Sequence, residues 1–231
     1  MSSSGAPHGL LFVVSAPSGA GKTTVVEEAI SRTPRLIRSR SYTSRQVGDG
    51  ETDGVDYHFV TRERFEAMRA GDQFLEWAEY SGNLYGTAQV DTERVLAGGD
   101  DLVLVIDVQG GRKIRRRGWP AVYVFVLPPS LDALERRLRE RGRDSEAQIQ
   151  RRIDAAREEV AAVPDYDYIL INDTVADCAL NLQAIVLAER ARRTGEEGLA
   201  APAIARAERV RRAAMEAVVA PIVAEFARPR S

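Results

Sequence analysis

A glycine-rich decapeptide near the start of the chain constrains the fold more than any other feature. It reads Ser-Ala-Pro-Ser-Gly-Ala-Gly-Lys-Thr-Thr over residues 15–24 and directly follows an apolar run at residues 10–14. The run predicts a buried strand, and residues 23–30 after the turn predict a helix. A turn that opens a helix in this way aims several backbone N–H groups at one point, which suits the phosphate chain of a nucleotide.

The lysine in this turn strengthens that interpretation. Of 32 basic residues, only Lys22 and Lys113 are lysine. A compact ammonium fits between the outer phosphates of a nucleotide better than a planar guanidinium does. We therefore expect Lys22 to reach the β- and γ-phosphates and Thr23 to offer its hydroxyl to Mg²⁺. The predicted phosphate-binding residues are Ala16, Pro17, Ser18, Gly19, Ala20, Gly21, Lys22, Thr23 and Thr24.

The match to the pattern G-x-x-x-x-G-K-[ST] has one flaw. Its first position holds Ala16 in place of glycine. Alanine is the smallest substitute, but it adopts a positive φ only at a cost. The alternative is an ordinary glycine-rich turn between a strand and a helix.

Length and composition bound the class of protein. The chain has 231 residues, of which 44% are hydrophobic, so we expect one core with inserts. A net charge of −2 provides no global basic field, so we expect neither nucleic acid nor a membrane as partner. The single Cys178 excludes an internal disulfide and suits a reducing compartment. No signal peptide or membrane span is visible, and we expect a cytoplasmic protein.

Strand-like runs alternate with helix-like runs, which predicts an α/β fold with a parallel sheet and flanking helices. Further strands are expected at residues 102–107, 122–127 and 168–171, and further helices at residues 130–141, 146–163 and 174–193. The predicted divisions are a flexible tail at 1–8, a core at 9–40, 88–136 and 153–193, a small β-rich insert at 41–87, an arginine-rich helical lid at 137–152, and an extension at 194–231. In that extension, residues 200–226 predict an amphipathic helix packed on the body or on another subunit, so a homo-oligomer stays open.

Several blocks in the insert and after it occur in a characteristic order. They are Ser41-Tyr42-Thr43-Ser44-Arg45, Gly50-Glu51, Gly54-Val55-Asp56-Tyr57, Phe74-Leu75-Glu76-Trp77-Ala78, Gly82-Asn83-Leu84-Tyr85-Gly86-Thr87, Ile106-Asp107-Val108-Gln109-Gly110, Pro128-Pro129-Ser130 and Ile171-Asn172-Asp173. With these blocks the chain resembles guanylate kinase over about residues 9 to 190. The resemblance implies a P-loop NTPase-like core with a GMP-binding insert and a lid. It also implies transfer of the γ-phosphoryl group of ATP to GMP, with Mg²⁺ as cofactor, giving ADP and GDP.

The resemblance assigns the nucleobase of GMP to one acid. Glu76 is implied to accept the N1–H and exocyclic amine of guanine, while Ser41 and Thr87 match positions whose hydroxyls reach the other edge of the base. Adenine has an acceptor where guanine has a donor, so such a site discriminates by roughly 10⁴-fold. Taken alone, Glu76 also fits a surface acid before a core tryptophan. The implied GMP-binding residues are Ser41, Arg45, Tyr57, Glu76, Tyr85, Gly86, Thr87 and Asp107.

The phosphate of GMP is implied to bind Arg45, Tyr57 and Tyr85, and here the chain departs from the family. A second arginine usually follows three residues beyond the first, where this chain has Gly48. If residues 39–45 are extended, Arg40 faces away from Ser41 and Arg45 and is a poor substitute. One lost charge-assisted hydrogen bond costs about 1.5–3 kcal/mol, so we expect weaker GMP binding than in relatives with both arginines.

A second departure concerns the metal site. Val105 stands where the family often has an acid, two residues before Asp107. Asp107 is expected to hold Mg²⁺ or to contact GMP; the alternative is a strand-end acid paired with an arginine.

Arginines matching the family's phosphoryl clamp lie in and beside the predicted lid. Arg137, Arg141 and Arg152 occupy the matching positions, and Asn172 matches a position near the adenine of ATP. The alternative for the arginine-rich helix is a solvated face with i,i+4 partners. The expected catalytic residues are Lys22, Arg45, Asp107, Arg137, Arg141 and Arg152.

Two other functions were weighed. A non-catalytic guanylate-kinase-like module that binds phosphopeptides usually has an eroded phosphate loop, whereas this chain keeps Lys22, Thr23 and Arg137. A kinase for a phosphorylated ribose has no need for Glu76, Ser41 and Thr87 together.

Overall fold

The computed structural model describes residues 8–80, 82–140, 142 and 144–227. The predicted tail at residues 1–8 lies outside the described residues except for His8, and so does Arg141 of the predicted clamp. The strands are β1 (Leu11–Ser15), β2 (Leu36–Arg38), β3 (Tyr42–Thr43), β4 (His58–Phe59), β5 (Phe74–Tyr80), β6 (Asn83–Ala88), β7 (Asp101–Val105), β8 (Val122–Leu127) and β9 (Tyr168–Ile171). The α-helices are α1 (Lys22–Arg32), α2 (Arg62–Ala70), α3 (Gln89–Ala97), α4 (Val108–Arg116), α5 (Leu131–Glu140), α6 (Glu146–Val160), α7 (Val175–Thr194), α8 (Ala201–Arg209) and α9 (Arg212–Ala227).

The larger sheet has the strand order β2-β7-β1-β8-β9, and its pairs β2–β7 and β8–β9 are parallel. Strands β1 and β8 are buried along almost their whole length, as continuous apolar runs predict for strands covered on both faces. The expected α/β architecture is confirmed. Strands β8 and β9 begin and end at the predicted residues, whereas β7 stops at Val105 and leaves Asp107 in the turn that follows.

The smaller sheet has the order β4-β3-β6-β5 and lies within the predicted insert. In the sequence, helix α2 lies between β4 and β5, so the insert contains a helix as well as β-strands. Thr61 caps this helix, its hydroxyl accepting the N–H of Arg64 at 3.2 Å. The insert has a hydrophobic cluster of its own, made of Phe65, Met68, Phe74, Leu84 and Ala88.

By internal contacts the chain divides into two compact units. The first comprises Met1–Phe12, Arg35–Leu104 and Gln109–Ala121, and it includes the smaller sheet. The second comprises Val13–Pro34, Val105–Val108 and Val122–Ser231, and it includes the glycine-rich turn with helices α1 and α5 to α9.

The C-terminal extension differs from the single amphipathic helix expected at residues 200–226. It forms two helices, α8 and α9, that break at Val210 and Arg211. The break has a physical reason, because the backbone there bonds to strand β9: Ile169 donates to the carbonyl of Val210, and Arg212 donates to the carbonyl of Asp167, both at 2.9 Å. The helix expected at 146–163 likewise ends at Val160, before Pro164 in a short 3-10 turn.

Within the part of the chain that the structure describes, every helix is too short or too polar to cross a membrane.

Candidate active site

The glycine-rich turn joins β1 to α1 and needs a left-handed backbone at only two of its positions. Gly19 has φ 98° and Gly21 has φ 85°. Outside glycine, positive φ among the described residues occurs only at Arg35 and Asp72, so Ala16 adopts an ordinary conformation. The substitution at the first position of the motif therefore introduces no backbone strain, and Ala16 is buried at 2% exposure.

The turn is packed tightly from behind. A Cβ at Gly19 would lie 2.8 Å from Cδ2 of Leu138, and a Cβ at Gly21 would lie 2.5 Å from Nδ2 of Asn172. The buried amide of Asn172 donates to the carbonyl of Ala20 at 2.7 Å. Asn172 thus fixes the backbone of the turn; its contact with adenine stays a prediction.

The start of helix α1 provides backbone N–H donors beside the glycine-rich turn. Helix α1 begins at Lys22, and Thr23 and Thr24 are exposed. The first N–H groups of a helix have no partner within the helix and favour an anion. The ammonium of Lys22 donates to the carbonyl of Ile106 at 2.7 Å, directly before Asp107. The exposed Asp107 is the second predicted metal ligand, and its own carbonyl accepts from the hydroxyl of Ser15 at 3.3 Å.

Two of the predicted clamp arginines reach this region from helices α5 and α6. Arg137 donates from Nη2 to the carbonyl of Asn172 at 2.8 Å. Arg152 donates from Nη1 to the hydroxyl of Ser18 at 2.8 Å and pairs through Nε with Asp144 at 3.2 Å. Both guanidinium groups therefore lie within hydrogen-bonding distance of the turn or of the residue that fixes it.

An acid that the sequence analysis missed belongs to the same region. Glu159 of α6 has a buried Oε2 with no hydrogen-bond partner among the described residues. Burial raises the pKa of its carboxyl, while Lys22 and the backbone N–H of Ser18 act in the opposite direction. Its position two helical turns beyond Arg152, on the same face of α6, is a signal that sequence periodicity contains.

In the other unit, strands β5 and β6 bring the predicted guanine-binding residues together. Glu76 and Thr87 are cross-strand partners and are only 6% and 2% exposed. The hydroxyl of Thr87 donates to Oε1 of Glu76 at 2.7 Å. A carboxylate is buried only where hydrogen bonds compensate the loss of water, so Glu76 is not the surface acid of the alternative interpretation, and its contact with guanine stays a prediction.

Gly86 allows this pair of strands to pack on the cluster of the insert. A Cβ at this position would lie 2.9 Å from Cδ1 of Phe74 and 3.1 Å from Cζ of Phe65. Ser41, just before β3, is half-buried, and its carbonyl accepts the N–H of His58 at 2.9 Å.

The predicted phosphate-binding residues of the insert form an aromatic and cationic group. The rings of Tyr57 and Tyr85 have centroids 6.0 Å apart. The guanidinium carbon of Arg45 lies 5.5 Å from the centroid of Tyr57. Arg40 donates from Nε to the carbonyl of Val55 at 3.0 Å.

Glu51 is a second residue that the sequence analysis did not assign. Its two oxygens accept from Nη1 and Nη2 of Arg45, each at 2.8 Å, and Oε2 also accepts the N–H of Gly48. The guanidinium of Arg45 holds the pKa of this carboxyl below its usual range, so Glu51 is ionised at neutral pH. A Cβ at Gly48 would lie 2.8 Å from Oε2 of Glu51. A side chain at position 48, such as the missing arginine, would therefore displace Glu51 from its ion pair with Arg45.

Comparison with known proteins identifies the family of the chain. A family model described as guanylate kinase matches residues 9–189. The chain belongs to the guanylate kinase family. Guanylate kinases of Desulfitobacterium hafniense and Geobacter metallireducens are 44% and 46% identical over 185 residues, which is 80% of this chain and 92% and 91% of theirs. The crystal structure of guanylate kinase from Anaplasma phagocytophilum aligns with a TM-score of 0.63 at 31% identity, over 79% of this chain and 87% of that one.

As a guanylate kinase, the chain is an enzyme that transfers a phosphoryl group from ATP to GMP. No observation favours the phosphopeptide-binding module or the ribose-phosphate kinase considered above.

Proposed function

We propose that this guanylate kinase divides the reaction between the two residue groups just described. In the insert, Glu76, Ser41 and Thr87 bind guanine, and Arg45, Tyr57 and Tyr85 bind the phosphate of GMP. The turn at residues 16–24, with Lys22, binds the phosphates of ATP, and Arg137, Arg141 and Arg152 bind the transferring group. The observation that carries this proposal is the buried Glu76 with its Thr87 partner.

Guanine fits the acid by hydrogen-bond chemistry. A carboxylate has about four acceptor positions, so Glu76 can accept from donors of a ligand as well as from the hydroxyl of Thr87. Guanine presents two donors side by side, at N1 and at the exocyclic amine. Adenine presents an acceptor at N1, which would face an acceptor oxygen of the buried carboxylate and lose a hydrogen bond that guanine makes, and this loss is costly.

Magnesium fits the oxygen donors of Thr23, at the start of α1, and of Asp107, after β7. Mg²⁺ is usually held by one or two protein oxygens together with substrate phosphates and water. Thr23 and Asp107 are exposed and provide oxygen ligands of this kind. Val105 provides none, although the family often has an acid at that position. Thr23 and Asp107 would hold the ion, which when bound neutralises charge on the phosphates.

The remaining chemistry is positioning and charge compensation by the chain itself. The second pKa of a phosphate monoester is near 6, so GMP is mostly dianionic at neutral pH and needs no general base. Lys22 and the arginines supply counter-charge to two polyanions, and the backbone N–H groups of the turn orient the donor. His58, the histidine of the insert, has no role in this scheme.

Several further expectations remain part of the proposal. The residue ranges 41–87 and 137–152 act as GMP-binding insert and lid on the core. ATP and GMP are the small-molecule partners, without nucleic acid or membrane, and the enzyme works in the cytoplasm.

Two comparisons on the purified protein test the proposal, the first between nucleotide substrates and the second between variants. ADP release from ATP is measured with GMP, dGMP, AMP, UMP and CMP, and GMP should be favoured by orders of magnitude. Lys22→Ala should abolish turnover, and Arg137→Ala should lower kcat by about 10²-fold or more. Arg136→Ala is the matched control, since Arg136 is exposed on the same helix and pairs with Glu140 at 3.9 Å. Equal use of AMP, or equal effects of the two arginine variants, would refute these assignments.

A further inference from the structure

Residues 190–227 lie beyond the match to the family model and belong to the second unit. Helix α9 buries Val219 and Phe226 to 4% and 2% exposure. Burial to this degree shows that the helix packs as part of the core of this unit.

The segment is first anchored at the edge of the larger sheet. Strand β9 is the last strand in the sheet order, and Val210 and Arg212 pair with it through the two backbone bonds described above. The guanidinium carbon of Arg211 lies 5.0 Å from the ring centroid of Tyr168. These contacts cover an otherwise open strand edge and fix the point from which α9 starts.

At its other end, α9 contacts the beginning of α5. Oε2 of Glu225 accepts the N–H of Leu131, the first residue of α5, at 3.0 Å. The hydroxyl of Ser130 accepts the N–H of Ala133, also at 3.0 Å. Two open donors of this helix start are therefore satisfied by different residues, and Glu225 adds a negative charge at the positive end of the helix dipole.

The next residue of α9 contacts α6. The carbonyl of Phe226 accepts from Nη1 of Arg157 at 2.6 Å. Adjacent residues of one helix thus hold both α5, which carries Arg137, and α6, which carries Arg152. One helix therefore contacts both of the helices that carry the predicted clamp arginines.

We infer that Glu225 and Phe226 are positioning residues for the phosphoryl-binding arginines Arg137 and Arg152. The inference rests on the proposed role of those two arginines, and it gives the C-terminal segment a part in catalysis without contact to either nucleotide. The segment acts on the ATP side of the reaction, because every contact that carries the inference lies in the unit that holds the phosphate-binding turn.

The experiment uses the full chain with Glu225→Gln, which preserves the shape of the side chain and removes its charge. Glu216→Gln is the matched control, because Glu216 is an exposed acid on the same helix. Glu225→Asp tests for rescue by a shorter acid. The readouts are kcat, KM for ATP, KM for GMP, and hydrogen exchange of the first amides of α5, all well below the melting temperature.

We expect Glu225→Gln to lower kcat/KM for ATP by about two- to fivefold, the size of effect that a charge at a helix start usually has. KM for GMP should change less than twofold, exchange in the first turn of α5 should speed up, and Glu225→Asp should recover part of the loss. Unchanged kinetic constants despite a lower melting temperature would overturn the inference, as would an equal change in both KM values. Absence of GMP-dependent activity in the wild type would instead contradict the proposed function.

Discussion

Arg45 is held at both terminal nitrogens by Glu51, in the geometry in which a guanidinium binds an anion. Both side chains are partly exposed, at 29% and 27%, so solvent weakens the pair. A phosphate dianion that binds Arg45 must share it with this carboxylate. The weak GMP binding expected from Gly48 therefore has a second physical cause, the proximity of a negative charge.

Removal of that charge should strengthen GMP binding. We predict that Glu51→Gln lowers KM for GMP about two- to fivefold at saturating ATP, because the repulsion disappears while an amide still accepts from Gly48. Glu66→Gln is the control in the same unit, because Glu66 pairs with Arg69 of its own helix. A rise in KM would mean that Glu51 holds Arg45 in its productive position.

Restoring the missing arginine tests the same idea from the other side. Gly48→Arg places a Cβ 2.8 Å from Oε2 of Glu51, the flexible end of a side chain, so Glu51 must move away from Arg45. We predict a decrease in KM for GMP larger than that of Glu51→Gln, since a cation is added and Arg45 is released. An unchanged KM would show that position 48 does not reach the phosphate.

At the scale of the elements, the sequence predicted best where one physical signal dominates. Continuous apolar runs located β8 and β9 to the residue, and the turn at residues 15–24 located α1. Strand β2 was missed because three residues show no periodicity, and α2 was missed because it lies inside a β-rich segment. The break before α9 depends on pairing with distant β9, which local sequence does not contain.

The same difference between local patterns and contacts with distant residues applies to the candidate site. The family resemblance assigned Glu76 and Thr87 to different edges of guanine, and it did not predict the hydrogen bond between them. The conformation of Ala16 removed the one flaw of the motif. Glu51 and Glu159 received no role, because the ion pair of Glu51 with Arg45 and the burial of the Glu159 carboxyl are visible only in the folded chain. Asn172 was placed near adenine, while its contact with the turn became visible only in three dimensions.

Gly86 offers a test of the packing between β5 and β6. We predict that Gly86→Ala lowers the free energy of unfolding by about 1–3 kcal/mol, because the added methyl group meets Phe74 and Phe65. It should also raise KM for GMP, since Thr87 is the next residue on β6. Gly198→Ala is the control, as a Cβ there meets nothing within 4 Å. Urea denaturation of both variants measures the effect, and equal stability would contradict it.

At the scale of the whole molecule, the reactivity of the Cys178 thiol measures whether the second unit is folded. The thiol lies on α7, is 1% exposed, and has its pKa raised to about 12 by burial. Since the folded pKa exceeds the unfolded value, the thiol favours the folded state below about pH 9, and that contribution declines as pH rises toward 12.

Thiol labelling should therefore follow opening of the structure. At pH 8 we predict that native Cys178 reacts with a disulfide reagent at least about 10³-fold more slowly than in 6 M guanidinium chloride, because both access and thiolate are lacking. ATP should slow the reaction further by stabilising this unit. Rapid labelling of the native protein would contradict the packing of α7.

The central claim is that one buried acid, Glu76, selects guanine, and it is tested by the ratio of kcat/KM for GMP to that for AMP. The wild type should show a ratio of roughly 10⁴, and Glu76→Gln should reduce it by about 10²-fold or more by losing activity with GMP. Glu79→Gln, an exposed acid on the same strand, should retain the wild-type ratio. A ratio in Glu76→Gln equal to that of the wild type would contradict the account.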